Sequence, residues 1–252
     1  MSITFATNCW EEDWEYLLKE GLLEQMIDNC HYKFDCKILC IGNVADIKKV
    51  EPYAQKKVDA GVIDRYIILR DNAEQVLDFY EIDKDSFNGG YNYSIAPLTA
   101  IYFSNTDLFL FFTGDSRLEP DNDGWIEKAS SMLLDSKDYF VANPLWNRCI
   151  DELKSESLSE TEDWAVGFGF SDQCFLVRTV DFRKPIYNEK HPASERFPKH
   201  AGDSFEKRVN SYMHNHNLYR LTSKKISYLN QNFRERKQSF LMMVKLLLKK
   251  LK

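Results

Sequence analysis

The stretch Asp107-Leu108-Phe109-Leu110-Phe111-Phe112, followed by Thr113-Gly114-Asp115-Ser116-Arg117-Leu118-Glu119-Pro120-Asp121, decides how this chain is read. A short, unbroken apolar run reads as a strand buried on both faces, as in a parallel sheet. A carboxylate at the C-terminal end of such a strand stands where open α/β sheets bind ligands. Asp115 is therefore the first candidate functional residue, and Arg117 supplies a cation two residues on.

Outward from this run, apolar strands alternate with helical periodicity. Strands are expected at Ile3–Thr7, Lys37–Ile41, Tyr66–Leu69 and Leu108–Phe112, with helices at Trp10–Asn29, Ile47–Ala60, Asn72–Tyr80 and Tyr93–Phe103 between them. That order implies right-handed crossovers and a mainly parallel sheet. Beyond Pro120, a helix is expected over Trp125–Leu134, and strands at Tyr139–Ala142, Phe175–Val177 and Leu218–Leu221. Ser204–His214 reads as a helix. The polar segment Asp151–Asp163 reads as a surface loop or mobile helix, and Tyr187–Gly202, without period, as a loop near the site.

Composition bounds the function class. The 252 residues suit one large domain or one domain with an appendage. Hydrophobic residues make up 44% and charged residues 29%, as in a water-soluble globular protein. A net charge of −6 disfavours a nucleic-acid partner. The 17 Phe and 13 Tyr suit flat surfaces for sugars or bases, although core packing is their commoner use. The six cysteines form no C-x-x-C pair, so a zinc site is not indicated. The chain opens Met-Ser-Ile-Thr-Phe without a basic-then-apolar leader, and no apolar run is long enough to cross a bilayer. The expectation is a cytoplasmic protein with reduced thiols.

The segment around Asp115 resembles the Asp-x-Asp segment of nucleotide-sugar glycosyltransferases with the GT-A fold, in particular the large inverting family 2 type. There a strand ends in Asp-x-Asp-Asp, followed by Leu, an acidic residue and Pro. Here the string is Thr113-x-Asp115-Ser116, then Leu118-Glu119-Pro120. The second aspartate is kept and the first is threonine. The resemblance implies an α/β, GT-A-like Rossmann-type sheet flanked by helices. A catalytic domain over 1–230 would have a nucleotide-binding half (1–120) and an acceptor half (121–230). The implied activity is transfer of a hexose from a nucleoside diphosphate, such as UDP, to a hydroxyl of a glycan or lipid-linked acceptor, with inversion, in bacterial surface polysaccharide synthesis. Mn²⁺ or Mg²⁺ would sit on Asp115, with metal dependence in question because one motif acid is missing.

The candidates for the nucleotide follow the strand ends: Thr7 and Asn8, then Asn43 and Asp46, then Arg70 and Asp71. Asn and Asp there serve equally well as helix caps. Gly89, Gly90 and Tyr91 precede the helix that leads into the Asp115 strand, where paired glycines allow close backbone approach to a ligand. Thr113, Asp115 and Arg117 complete the diphosphate set. For the general base, the resemblance points to Gly202-Asp203-Ser204-Phe205-Glu206-Lys207-Arg208, where Gly202 replaces the usual Glu. Asp203 is the first candidate and Glu206 the second, with a capping role as the alternative for both. Asp172 is a further candidate. The five histidines are read as surface or satisfied residues.

Gln231–Lys252 reads as a basic amphipathic helix, with Phe240, Met243, Val244, Leu247 and Leu251 on one face and Lys245, Lys249 and Lys252 opposite. Such a helix suits peripheral contact with the inner face of a membrane through 240–252, domain packing or a dimer contact. Two other functions stand beside the transferase. A sugar nucleotidyltransferase would need basic residues after the first strand, where this chain has Asn8-Cys9-Trp10-Glu11-Glu12-Asp13. A non-catalytic scaffold would explain Thr113 and the broken Glu-Asp pair.

Overall fold

In a computed structural model, Leu108–Phe112 is a strand with every residue buried, and its alternate side chains enter two different cores. Leu108, Leu110 and Phe112 face one, Phe109 and Phe111 the other, as period-2 geometry requires. The structure describes residues 1–121 and 124–231, so the terminal helix expected over 231–252 lies outside the described residues beyond Gln231.

The strands are β1 (Ile3–Cys9), β2 (Cys36–Ile41), β3 (Arg65–Ile68), β4 (Leu108–Phe112), β5 (Ser116–Leu118), β6 (Tyr139–Trp146), β7 (Ser157–Glu160), β8 (Trp164–Gly167), β9 (Cys174–Arg178) and β10 (Tyr219–Asn230). The α-helices are α1 (Trp14–Lys19), α2 (Leu22–Asp28), α3 (Ile47–Asp59), α4 (Leu69–Phe79), α5 (Tyr91–Phe103), α6 (Trp125–Asp135), α7 (Ile150–Glu156), α8 (Thr179–Phe182) and α9 (Phe205–Asn215).

One sheet runs β3-β2-β1-β4-β9-β6-β10-β8-β7, with β5 on the far end of β10. β1–β4 are mutually parallel. β9 lies antiparallel between β4 and β6, and β6 pairs with β10 in parallel. Strands β1–β4 thus share a direction with β6 and β10, and the reversed strand β9 joins the two sets. Helices α1, α2, α3 and α6 cover one face, through residues such as Leu17, Met26, Val50 and Ile126. Helices α4, α5 and α9 cover the other through Val76, Leu98 and Val209. α5 is apolar on all sides, with Ser94 to Ile101 buried, as expected for a helix enclosed on all sides.

The aromatic surplus is spent here. Phe109, Phe111, Phe170, Phe175, Phe182 and Phe205 form a continuous set of ring contacts beneath β4 and β9. Each fully buried Phe contributes about 1.5–3 kcal/mol of transfer free energy. Core packing, not ligand stacking, accounts for most of these rings.

Several expected elements differ. The helix expected over Trp10–Asn29 is two helices, because Gly21 adopts φ +76° between them. Arg70 and Asp71 are not a strand-end loop: α4 starts directly after β3 and contains both. Asp151–Asp163 holds the end of α7 and β7, and Trp164–Gly167 is a strand the polar pattern concealed. The last strand runs twelve residues, with an irregularity between Thr222 and Ser227 that lets its far end pair with β5 and β6.

Candidate functional site

β1 and β4 lie side by side in parallel, pairing Thr7 with Phe112, so the residues after each meet at one end of the sheet. Thr113 closes a tight turn: its carbonyl accepts from the Ser116 N–H at 2.9 Å, and its Oγ1 donates to Asp115 Oδ1 at 2.9 Å. The threonine that replaces the motif's first acid therefore orients the acid that remains. The Asp115 carbonyl accepts from the Gln231 N–H at 2.7 Å, which ties the turn to the end of β10. Burial pushes the half-buried Asp115 carboxyl up, against hydrogen bonds from Thr113 and Asn230.

Asp13 was read only as a source of repulsion. It is almost wholly buried, and its Oδ1 accepts from the Trp10 N–H at 2.8 Å. Its other oxygen lies against Gly114, and burial and the Asp115 charge both push it up. The sequence signal was an Asp three residues after Trp10, directly before the apolar start of α1.

The other nucleotide candidates are scattered. Thr7 is fully buried, and neither its hydroxyl nor the Asn8 side-chain oxygen has a hydrogen-bond partner among the described residues. Asn43 is exposed at φ +48°, its carbonyl accepting from the Glu11 N–H. Asp46 caps α3 by accepting from the Lys48 N–H at 3.1 Å. Asp71 is exposed in the first turn of α4, 3.3 Å from Arg70 Nε. Arg117 Nη1 donates to Gln25 Oε1 on α2 at 3.0 Å.

Gly89-Gly90-Tyr91 is used for packing within the chain. A Cβ on Gly90 would stand 2.4 Å from the Ala201 carbonyl oxygen and 2.8 Å from the Ser204 nitrogen. Ser94 Oγ then accepts from the Phe205 N–H at 2.8 Å, joining the start of α5 to the start of α9. The close approach that the two glycines suggested is to residues 201–204, and Tyr91 is half-buried beside Phe87 with Lys84 over its ring.

The second half contributes a cavity of about 440 Å³, walled by β6, β10, α7, the start of α9 and the 196–198 segment. Glu206, in the first turn of α9, lines it together with Glu156, Arg196, Arg220 and Tyr228. Burial raises the Glu206 carboxyl well above the usual carboxylate range, and the Asp172 charge adds to this. Arg196, Arg220 and a hydrogen bond from the Asp172 N–H oppose it. Asp172 is itself pushed up to about 7 by burial, opposed by its own backbone N–H and aided by the Asp115 charge. Asp115 thus acts on Asp172 and Asp172 on Glu206, which lines the cavity.

Asp203, the first base candidate, is elsewhere. It faces a separate cavity of about 300 Å³. Its oxygens are held by Lys207 Nζ at 2.9 Å, Asn88 Nδ2 at 2.8 Å and Lys190 Nζ at 3.8 Å. Burial would raise this carboxyl, but those partners hold it below the usual range, which makes it a weak proton acceptor. The physical reason is register: Ser204 is the N-cap of α9, so Asp203 precedes the helix while Glu206 turns into the cavity. Nor do Asp203 and Glu206 form the anticipated cap: the N-cap residue is Ser204, whose own side chain makes no cap bond, and the first N–H of the helix goes to Ser94 Oγ.

Arg196, Arg220, Glu156 and Tyr228 were not singled out by sequence. They come from four separate segments with no shared spacing, and only the reading of 187–202 as a loop near the site pointed toward Arg196. Among the histidines, His31 contacts the Pro120 carbonyl, His216 pairs with Glu189, and His191 stacks on His214. Among the described residues, no group of three or more His, Cys, Asp or Glu is disposed to hold a metal ion.

In the order and direction of its strands the fold is a mixed α/β sheet, parallel over β1–β4 and flanked by helices. It is similar to CMP:2-keto-3-deoxy-manno-octonic acid synthetase complexed with CTP, at 11% identity over 97% of this chain and 100% of that one, TM-score 0.49. It is also similar to S. aureus TarS 1-349, at 9% identity over 92% and 60% of the two chains, TM-score 0.47. A third is glucosyl-3-phosphoglycerate synthase from Mycobacterium tuberculosis, in complex with Mn²⁺, UDP and glucosyl-3-phosphoglycerate. It shares 13% identity over 71% and 57% of the two chains, with a TM-score of 0.39. The chain spans about three fifths of the length of the last two. No family model and no curated protein matches the sequence.

Proposed function

We propose that the chain is a nucleotide-sugar transferase that binds the donor diphosphate at Asp115 and the acceptor in the cavity walled by Glu206. The observation that carries this is the succession of carboxyls from Asp115, at the C-terminal end of a parallel strand, through Asp172 to Glu206 on the wall of the larger cavity.

Glu206 is the general base. As the acceptor oxygen forms its bond to the anomeric carbon, the hydroxyl proton passes to the Glu206 carboxylate. The bond from that carbon to the diphosphate oxygen breaks on the opposite side, and the configuration inverts. Burial raises the affinity of Glu206 for protons, which suits a proton acceptor, while the Arg196 and Arg220 charges oppose that rise. Asp172 orients Glu206 through its backbone N–H. Asp203 remains a weaker candidate, because Lys207 already neutralises it.

The residues fit one Mn²⁺ or Mg²⁺ ion. Burial disfavours charge on the Asp115 carboxylate, and no cation among the described residues offsets it. Bound metal would supply charge neutralisation for the leaving diphosphate, with Asp115 as protein ligand and phosphate and water oxygens completing the shell. The acceptor is a hydroxyl of a glycan or related polyol. A lipid-linked acceptor at the inner membrane face would rest on 240–252; among the described residues no helix is long and apolar enough to cross a membrane. A nucleotidyltransferase is not favoured, because Asn8 to Asp13 offers a triphosphate no cation.

The test is a thermal-shift panel of nucleoside diphosphates, with and without Mn²⁺. One diphosphate should raise the melting temperature, more strongly with Mn²⁺, through mass action on the native state. The shift should vanish in Asp115→Asn. No shift with any nucleotide would leave a GT-A-like scaffold.

A further inference from the structure

We infer that the cavity beside Glu206 selects an acceptor carrying an oxyanion, a phosphate monoester or a carboxylate, which Arg196 and Arg220 receive. The word acceptor rests on the transferase reading; the oxyanion site does not.

Two guanidinium groups reach this cavity from separate elements, Arg196 from the short turn Pro192–Arg196 and Arg220 from β10. Both converge on one carboxylate: Arg196 Nη1 holds Glu156 Oε1, and Arg220 Nη2 holds Glu156 Oε2. The Arg220 and Glu156 side chains are 11% and 15% exposed. Burying an ion costs several kcal/mol unless it is compensated. One arginine compensates Glu156, and the pair also acts on Glu206 on the same wall. Arg220 Nε, moreover, is buried without a hydrogen-bond partner among the described residues. Guanidinium forks match carboxylate and phosphate oxygens in pairs, so two of them converging on one cavity, one with an unused N–H, point to an oxyanion site.

The backbone is cleared for this convergence. Gly169 sits at φ +120°, where L side chains are strained, and a Cβ there would be 2.9 Å from Arg196 Nη2 and 3.1 Å from Arg220 Nη1. The size also fits. About 440 Å³ accommodates a monosaccharide-sized molecule. Trp146, 41% exposed on the cavity wall, presents an apolar face of the kind that covers a sugar ring. Such a molecule with its anion on the arginine pair could set a hydroxyl at Glu206, which lines the same wall.

Calorimetric titration of the whole chain with glucose, glucuronate and glucose 6-phosphate, at matched ionic strength, tests this. At least one of the two anions should bind roughly ten-fold tighter than glucose or better, the worth of a charge-assisted contact. The comparison of glucuronate with glucose 6-phosphate tells carboxylate from phosphate. The advantage should disappear in Arg196→Gln. Arg220→Gln should behave alike, but Arg220 is buried and its loss could prevent folding, so the more exposed Arg196 decides. Equal affinity for all three probes, or an anion preference that survives in Arg196→Gln, overturns the inference. Nucleoside diphosphates titrated into the same protein keep the two claims apart. Nucleotide binding without anion preference refutes the oxyanion site and spares the transferase. Anion preference without nucleotide binding upholds the site and refutes the transferase.

Discussion

Glu206 and Asp172 are two acids whose environment, not their identity, sets their role. Both lie where burial disfavours charge; Asp115 opposes ionisation of Asp172, Asp172 opposes that of Glu206, and Arg196 and Arg220 favour that of Glu206. If Glu206 takes the acceptor proton, Glu206→Gln should lower turnover by about 10²–10⁴-fold while nucleotide affinity is unchanged. Asp172 makes a second, independent prediction. Burial pushes its carboxyl up from the ordinary 3.8 to about 7, so between those values the native state binds more protons than the unfolded chain. Stability from this group is therefore present at low pH and lost as pH rises from about 4 to about 7. The melting temperature should fall across that window, and Asp172→Asn should flatten the fall. Legibility at this scale was uneven. The strand-end position of Asp115 could be read from sequence because a strand of unbroken apolar residues ends three positions before it. Asp203 was favoured over Glu206 because motif order does not reveal which residue a helix start turns inward. Arg196, Arg220 and Glu156 meet only through tertiary folding, and no spacing announces such a triad.

At the scale of elements, the joint between α5 and α9 holds the base-bearing helix in place. Gly90 meets Ala201 and Ser204 backbone to backbone, and Ser94 Oγ bonds the first N–H of α9. Gly90→Ala should therefore cost about 1–3 kcal/mol of overpacking. For a chain of this size that is a melting temperature lower by several degrees, readable by calorimetry. Because α9 carries Glu206, turnover should fall further than nucleotide affinity does. The sequence announced both glycines and their place before a helix, but not that their partner would be residues 201–204 instead of a ligand. Strands β1, β2 and β4 and helices α3, α5 and α6 were readable because apolar period and caps agreed. The break at Gly21 was not, since the apolar residues on either side continue at helical spacing. β8 escaped because Trp164-Ala165-Val166-Gly167 is four residues long and follows a Ser/Glu-rich stretch.

At the scale of the molecule, one sheet with two cores links the end bearing Asp115 to the cavity walled by Glu206. Antiparallel β9 seals the seam between β4 and β6, and the far end of β10 returns to pair with β5 beside Asp115. The alternation of strand and helix predicted the parallel first half, but the mixed second half follows from long-range pairings that local pattern does not encode. This arrangement makes the central claim a statement about one end of one sheet: a nucleoside diphosphate binds at Asp115. The most direct measurement is isothermal titration of nucleoside diphosphates into the wild-type chain, Asp115→Asn and Glu206→Gln, each with and without Mn²⁺. The account predicts a single site that Mn²⁺ strengthens, that Asp115→Asn abolishes and that Glu206→Gln leaves intact. Absence of binding to the wild type, or equal binding by Asp115→Asn, would contradict it.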